Sequence, residues 1–556
     1  MLTCCCLPCS YQATHSLCCG IPNLAVHKCH PDSEFAFLAL SLPSSGEGCS
    51  LEPMVSATTL MQAVLSLTPS WPANPSANLT EIFGPGLSPA ARIILPNETS
   101  WSTEVRSRWS TYQAPSYQGA ILPSTVADVE HIVRTATSRS IPFLTTGGGH
   151  GISDYSRFAG VAVDLSNFKS VKLHKKGNRL EVGGAVEYSQ LSSLLFDAGK
   201  ELPLASCPCV GVVGATMGAG IGPLVGQHGL MLDALESVRI VTAQKGLVTA
   251  SKKENQDLFW AVRGAGANFG IVLEATYKVY DITNNGQALV ADLIFPAAMN
   301  RSFFAALHSF DGDDMDSKLA MTAGMMYNRD VDQASDTPTI CTRKPRADTW
   351  DNAQPLVVVH AVYFGSEAEG RAHLAPFLEL GPAVQNIRMV TQAKLFPPDN
   401  GACVPNQYIN LYTAALKQTD PSTLELIFAR FMELWSQWPD YNGRLIIQRF
   451  SRNVVNSVSD EDTAYPWREA VAHLNIENFY TNTSHTPKVN EFSHWAREMI
   501  ADSSGFGTLA TYVNYAHGDE GPGAWYSERK LGRLARLKTK WDPNRVFSWS
   551  NPITGK

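Results

Sequence analysis

The sequence predicts an α+β protein, and three patterns carry that reading. Through residues 118–280, short β-rich runs alternate with amphipathic helical stretches, as in an α+β or α/β domain. From about 285 to 500 strand-like runs alternate with helical stretches and glycine-rich loops vanish, which suggests a second α+β domain, expected to carry an antiparallel sheet. After 505 an alternating run, Tyr512-Val-Asn-Tyr515, precedes a basic helix, Arg529 to Lys540. At 556 residues the chain is long enough for two or three structural units. The divisions fall at 1–65, an irregular leader; 66–114, an N-terminal extension; 115–284; 285–504; and 505–556, a closing segment.

The elements follow in order. From Pro69 to Pro96 six prolines stand among polar residues, which reads as an extended connection, with order beginning near Gln118. Ser124 is placed to cap a helix whose Val129, Ile132, Val133 and Ala136 share one face. Strands are expected at Ile141-Pro-Phe-Leu, Val161-Ala-Val-Asp-Leu and Leu180-Glu-Val. A second helix shows Leu191, Leu194, Leu195 and Ala198, with Gly199 suited to the C′ position. Ser237 to Thr242 and Leu273 to Val279 read as strands, the latter with clear alternation. Further on, Pro355 to Phe364 reads as a strand and Leu424 to Trp435 as a helix; the basic helix near the end reads as a solvated face.

Composition excludes several functions. Hydrophobic residues make up 44% and charged residues 17%, ordinary for a globular chain. Forty-four basic against fifty-one acidic side chains give a net charge of -7, with no electrostatic footprint for nucleic acid. No apolar run approaches the length that crosses a bilayer. Eight of the twelve cysteines precede residue 50, among them Cys6-x-x-Cys9 with His15, His27 and His30 nearby. Their spacing matches no closed zinc ligand set, so no metal site is expected. The first thirty residues lack a signal-peptide pattern, whereas sequons at Asn78, Asn97, Asn300 and Asn482 favour the secretory pathway or secretion and a glycoprotein.

Three glycine-rich segments carry the chemistry. Thr145-Thr-Gly147-Gly148-Gly149-His150-Gly151 lets the backbone turn its N–H groups towards an anion with no side chains in the way. Cys207-Pro-Cys-Val-Gly211-Val-Val-Gly214-Ala-Thr216-Met-Gly218-Ala-Gly-Ile-Gly222 allows close approach to something flat or charged. The third runs from Asp257 to Val272 and contains Phe259 and Trp260, which read as core rather than stacking residues. There is no G-x-x-x-x-G-K-[ST], and no G-x-G-x-x-G opens a helix after the first strand, so the P-loop and Rossmann readings fail.

Taken together and in this order, the three segments resemble the FAD domain of the p-cresol methylhydroxylase/vanillyl-alcohol oxidase superfamily, in its berberine-bridge-enzyme-like branch, which includes fungal natural-product oxidases. The resemblance spans about 115–280 and 508–553. It implies a two-part FAD-binding domain around an α+β substrate domain. By it, Gly147 to Gly151 match the pyrophosphate loop, and His150 the residue bonded to the flavin 8α-methyl carbon. Cys207 matches the 6-S-cysteinyl position of the branch with two covalent links, and Gly211, Gly214, Thr216, Gly218 and Gly222 the cofactor-contacting stretch. Gly270, Ile271 and Val272 resemble the strand meeting the adenosine half, while Tyr512 to Tyr515, with Asn514, and Trp541 to Phe547 resemble the closing segment. Cys209, two residues on, is a rival thiol, although a Cys207–Cys209 disulfide would be strained by its short loop.

Two departures bear on the chemistry. Ala219 replaces a frequent glycine, and Ile447-Gln-Arg-Phe-Ser-Arg452 has no carboxylate where the plant alkaloid enzymes carry a glutamate base. Tyr512 is therefore the catalytic candidate, with Tyr408 and Tyr515 as alternatives. The resemblance implies hydride transfer from a phenol, alcohol or polyketide-type metabolite to covalent FAD, with dioxygen as re-oxidant. A carbohydrate oxidase of the same fold is the rival, to be favoured by a broad aromatic-lined groove in the second domain. A flavin-free cyclase or binding protein is the remaining alternative.

Overall fold

The computed structural model describes residues 79–328, 354–395 and 403–553, together with the two-residue strands Leu7–Pro8 and Phe35–Ala36. Residues 1–71 and 72–556 are separate units, and in the first those two strands pair antiparallel. The Cys6-x-x-Cys9 pair with its histidines lies outside the described residues. The second unit is built on three main sheets.

The first sheet contains β1 (Arg92–Ile94), β2 (Ser116–Leu122), β3 (Phe143–Thr146) and β4 (Ala159–Asp164) in the order β1-β2-β4-β3. β4 runs parallel to both β2 and β3, while β1 is antiparallel to β2. Helix α1 (Val126–Ser138) connects β2 to β3 and buries Val129, Ile132, Val133 and Ala136. Its cap is Thr125 rather than Ser124, because Asp128 closes a reciprocal capping box with that residue. Order also begins earlier than the proline-rich composition suggests. A helix at Leu79–Phe83 and strand β1 precede Gln118, held by the full burial of Leu79, Phe83 and Ile94. The Asp128 carboxylate ties this stretch down by accepting from Ser88 N and Oγ at 2.6 and 2.8 Å.

β5 (Val171–His174), β6 (Arg179–Gly183), β7 (Leu235–Thr242), β8 (Gly246–Ser251) and β9 (Ile271–Lys278) form an antiparallel second sheet, ordered β8-β7-β9-β6-β5. Helix α2 (Ser189–Asp197) buries Leu191 and Leu195 and ends at Gly199 with φ +66°. Leu194, read onto the same apolar face, instead points outward and is 39% exposed. Helices α3 (Val212–Gly218) and α4 (Gln256–Ala265) pack together, and Phe259 and Trp260 of α4 are core residues.

The third sheet is antiparallel throughout. Its strands are β10 (Gln287–Pro296), β11 (Leu319–Asn328), β12 (Gln354–Tyr363), β13 (Val384–Thr391), β14 (Ile409–Leu416), β15 (Asn442–Phe450) and β16 (Ala472–Phe479). They are ordered β13-β10-β12-β11-β15-β16-β14. Helices α5 (Pro421–Gln437) and α6 (Thr486–Ser503) cover one face, burying Leu445, Ile447, Leu474 and Ile476 in a shared core. Because strand side chains alternate, Arg444, Ile446, Gln448, Asn475 and Glu477 must face the other way.

The closing segment returns through α7 (Glu528–Trp541), which packs on α4. This helix is not simply a solvated basic face. Lys530 Nζ donates to the carbonyls of Thr463 and Tyr465, and Lys538 Nζ donates to Asn268 O, Phe547 O and the Asp542 carboxylate. These two ammonium groups are buried because each finds enough acceptors to replace water.

Candidate active site

The three glycine-rich segments converge on one cavity of about 440 Å³. Gly147–Gly151 leave the end of β3 and meet the segment before α3 backbone to backbone. A Cβ at Gly148 would lie 2.5 Å from Gly211 N, so only glycine allows this approach. Gly149 takes φ +78°, and its carbonyl accepts from Trp109 N at 3.0 Å.

His150 Nδ1 donates to Gly148 O at 3.1 Å, which leaves Nε2 with the lone pair, 3.5 Å from Cys209 Sγ. The ring stacks on Trp109 with centroids 5.5 Å apart. Burial, reinforced by the charges of Arg106 and Arg108, holds its pKa down to about 4, so the imidazole is neutral at neutral pH. Cys209 is bonded to Cys403, with Cα atoms 5.6 Å apart. That bridge removes the rival thiol and leaves Cys207 as the cysteine lining the cavity.

Gly211, Gly214, Gly218, Gly270, Ile271, Val272, Tyr512 and Asn514 line the same cavity. Thr216 and Gly222, also read as cofactor contacts, do not line it. Thr216 is fully buried, its hydroxyl donating to Val212 O at 2.8 Å and accepting from Tyr277 OH at 2.9 Å. Gly222 packs on the chain at Leu204, whose carbonyl a Cβ would strike. Gly264 and Gly266 are lining residues that sequence reasoning did not single out, although they lie in the third glycine-rich segment. Gly264 adopts φ +130° where α4 breaks, and a Cβ there would meet Tyr465 N.

The closing segment differs from expectation. Val513–Tyr515 is a 3₁₀ turn, not a strand. In a strand, Tyr512 and Tyr515 would face opposite sides; in the 3₁₀ turn residues three apart eclipse, and both rings reach the cavity with centroids 4.8 Å apart. Their oxygens differ. Tyr512 OH accepts from Gly220 N at 3.1 Å and from Asn514 Nδ2 at 2.7 Å, and Asn514 Nδ2 also donates to Ala215 O. Burial pushes its pKa up to about 12 despite these donors. Tyr512 thus clamps the turn to the chain around α3, and because both donors favour its phenolate it stays a candidate proton acceptor beside Tyr515. Tyr515 OH donates to Gln448 Oε1 at 2.9 Å, and burial, with Tyr512, Cys207 and Glu477 nearby, raises its pKa well above the usual phenol value. Tyr408, the other alternative, does not line the cavity; its hydroxyl lies 3.3 Å from Thr486 Oγ1.

The cavity floor comes from the uncovered face of the third sheet: Thr322, Leu411, Arg444, Ile446, Gln448, Asn475 and Glu477. Its carboxylate is Glu477 on β16, not a residue of Ile447–Arg452, and Arg444 Nε donates to it at 2.6 Å. Among the described residues no cluster of three His, Cys, Asp or Glu is placed to hold a metal, and no helix is long and apolar enough to cross a membrane.

The FAD binding domain family model matches residues 117–251, and the berberine and berberine-like model matches 511–554. The FAD-linked oxidoreductase tazG of Aspergillus terreus is 44% identical over 510 residues, covering 90% of this chain and 98% of that protein. This chain belongs to the berberine-like FAD-linked oxidoreductases. The FAD-linked oxidoreductase azaL of Aspergillus niger is 40% identical over 473 residues, 83% of this chain and 96% of its own. Among solved structures, Physcomitrella patens BBE-like 1 superimposes with a TM-score of 0.70 at 20% identity, covering 86% of this enzyme and 99% of its own chain. Glucooligosaccharide oxidase from Acremonium strictum, described with a 6-S-cysteinyl, 8α-N1-histidyl FAD, gives 0.70 at 18% identity over 84% and 98%. These likenesses establish the mixed α+β fold. The enzyme is an oxidoreductase with an FAD-binding domain, and its site fits that group: a side-chain-free cradle lies beside a neutral imidazole and a thiol on one cavity wall.

Proposed function

We propose that this enzyme is an oxidase of small organic secondary metabolites, of phenol, alcohol or polyketide type, that carries FAD covalently on His150 and Cys207. The observation that carries the reading is the placement of both side chains on one cavity while Cys209 is held in a disulfide. A neutral histidine and a cysteine that can lose its proton to form a thiolate are the nucleophile types such bonds need. Bound FAD supplies a hydride acceptor that dioxygen re-oxidises to give hydrogen peroxide. The chain's own residues do the rest. Gly147–Gly151 and Gly211–Gly218 present backbone to the cofactor, and Asn514 locks the closing turn against α3. Tyr515, as its phenolate, takes the substrate proton, and Gln448 accepts from the hydroxyl that results.

The rival, a carbohydrate oxidase, has fold neighbours in its favour, among them a chitooligosaccharide oxidase with a TM-score of 0.70 at 19% identity. An aromatic-lined groove in the second domain was its distinguishing mark. The residues that 285–504 contribute to the cavity include no aromatic side chain among the described residues. The metabolite reading is therefore preferred. The Cys209–Cys403 disulfide and the exposed sequon residues Asn97 and Asn482 support a route through an oxidising compartment.

Acid precipitation tests the covalent bonds. The pellet of purified protein stays yellow, His150→Ala and Cys207→Ala each still retain flavin, and the double variant releases it. A colourless wild-type pellet with free flavin in the supernatant defeats the reading.

A further inference from the structure

The floor of the cavity contains a buried ion pair that the chemistry at Tyr515 does not use. Arg444 on β15 and Glu477 on β16 stand opposite one another in register, joined by the Nε–Oε2 bond of 2.6 Å. Both side chains are nearly enclosed, 15% and 11% exposed, and both line the cavity. The Arg444 guanidinium lies over the Phe479 ring at 4.7 Å, which fixes its plane. One row along, Asn475 pairs in register with Ile446, is 4% exposed, and its Oδ1 has no hydrogen-bond partner among the described residues.

Position along the strand gives this pair its meaning. Gln448, which holds Tyr515, and Arg444 are on the same face of β15 four residues apart, about 13 Å at the rise of an antiparallel strand. The site thus has a reacting end at Tyr515 and a charged end four residues away along the same strand face. Between them stand Ile446, Leu411 and the unpartnered amide oxygen of Asn475. An ion pair enclosed in this way forfeits hydration, and an apolar pair would serve a purely structural floor as well. Facing a cavity, it offers a fixed donor beside a fixed acceptor. An anion would meet the Glu477 carboxylate, and a cation would meet the guanidinium. A neutral group with a donor and an acceptor side by side satisfies both.

We propose that Arg444 and Glu477 form a specificity subsite for a neutral hydroxy-carbonyl group, carried on an apolar ring system at the end of the substrate remote from the oxidised carbon. The inference rests on the oxidase reading above and narrows its substrate class.

The probe is 4-hydroxy-2-acetonaphthone, whose hydroxyl cannot bond its own carbonyl, compared with 2-acetonaphthone, which lacks the hydroxyl, with the anion 4-hydroxy-2-naphthoate, and with xylobiose. Binding to the flavin-loaded enzyme is read from the perturbation of the visible flavin spectrum, which needs no turnover. Flavin content of the same preparations is read first, so a chain without flavin fails the parent reading, whereas a loaded chain without discrimination fails this one. The hydroxy-ketone binds at least tenfold more tightly than 2-acetonaphthone. The preference falls below twofold in the double variant Arg444→Leu/Glu477→Leu, which removes both charges together and leaves neither buried alone. Arg444→Lys keeps part of it. Four outcomes overturn the proposal: tighter binding of the naphthoate, tighter binding of xylobiose, a preference that survives in the double variant, or no binding of any probe to the loaded enzyme.

Discussion

The two sides of the cavity are made of different material. The wall formed by Gly147–Gly151, Gly211–Gly218 and Gly264–Gly266 is largely backbone, drawn from three short segments. The floor is side chain, with Thr322, Arg444, Gln448, Asn475 and Glu477 each delivered by alternation on β11, β15 or β16. The difference separates two tasks. A backbone wall can cradle a cofactor whose shape is constant, while a side-chain floor can be rewritten residue by residue to suit a substrate.

The sharpest test of the division is at the two tyrosines. Tyr515→Phe lowers kcat by about 10²–10³-fold with flavin content unchanged, measured by peroxide release and visible absorbance. Tyr512→Phe costs about 1 kcal/mol of stability through its lost clamp and leaves kcat within about threefold. Equal losses of turnover in the two variants would erase the distinction drawn from their partners. The pH profile adds to this. Because the pKa of Tyr515 lies above the ordinary phenol value, its basic form grows with alkalinity, so kcat climbs through pH ~9–10 without a plateau. A plateau at neutral pH would remove Tyr515 from the role.

Next in size is the tie between wall and second domain. Removing the Cys209–Cys403 bridge with Cys209→Ser/Cys403→Ser lowers unfolding stability by about 2–4 kcal/mol and loosens the loop carrying Cys207, so the covalent flavin fraction drops. Full flavination of that variant would show that the wall stands without its tie. In the wall itself, Gly148→Ala places a methyl group against Gly211 N and costs about 2 kcal/mol, read as a lowered melting temperature and reduced flavin content.

The smallest effect lies away from the cavity. Burial of Asp128 would raise its pKa, but hydrogen bonds from Ser88, Ser124 and Thr125 outweigh it and hold the value down to about 2. A carboxyl group that is more acidic when folded stabilises the fold above its unfolded value near pH ~4, and that share is lost as the pH falls through about 2. Asp128→Asn therefore costs about 1–2 kcal/mol at neutral pH and flattens acid unfolding over that window, as followed by circular dichroism.

The amino-acid sequence by itself determined the wall, because backbone packed against backbone needs consecutive glycines and those are local in the chain. The place of His150 on the cavity is legible for the same reason, since it comes with its loop. It also determined the buried face of α1 and the strands with clear alternation, where period alone decides which side is apolar. Only the tertiary structure decided the rest. Tyr515 stood only as an alternative to Tyr512, because a strand reading puts the two on opposite sides and one 3₁₀ turn changes which residues share a side. The pairing of Cys209 with Cys403 spans 194 residues, and Glu477 reaches Arg444 through strand register, so neither follows from local spacing. Lys530 and Lys538 have a basic residue's composition but a core residue's surroundings, set by carbonyls that other segments supply. Contacts fixed by the backbone's own geometry can be read along the chain, and contacts fixed by which strands become neighbours cannot.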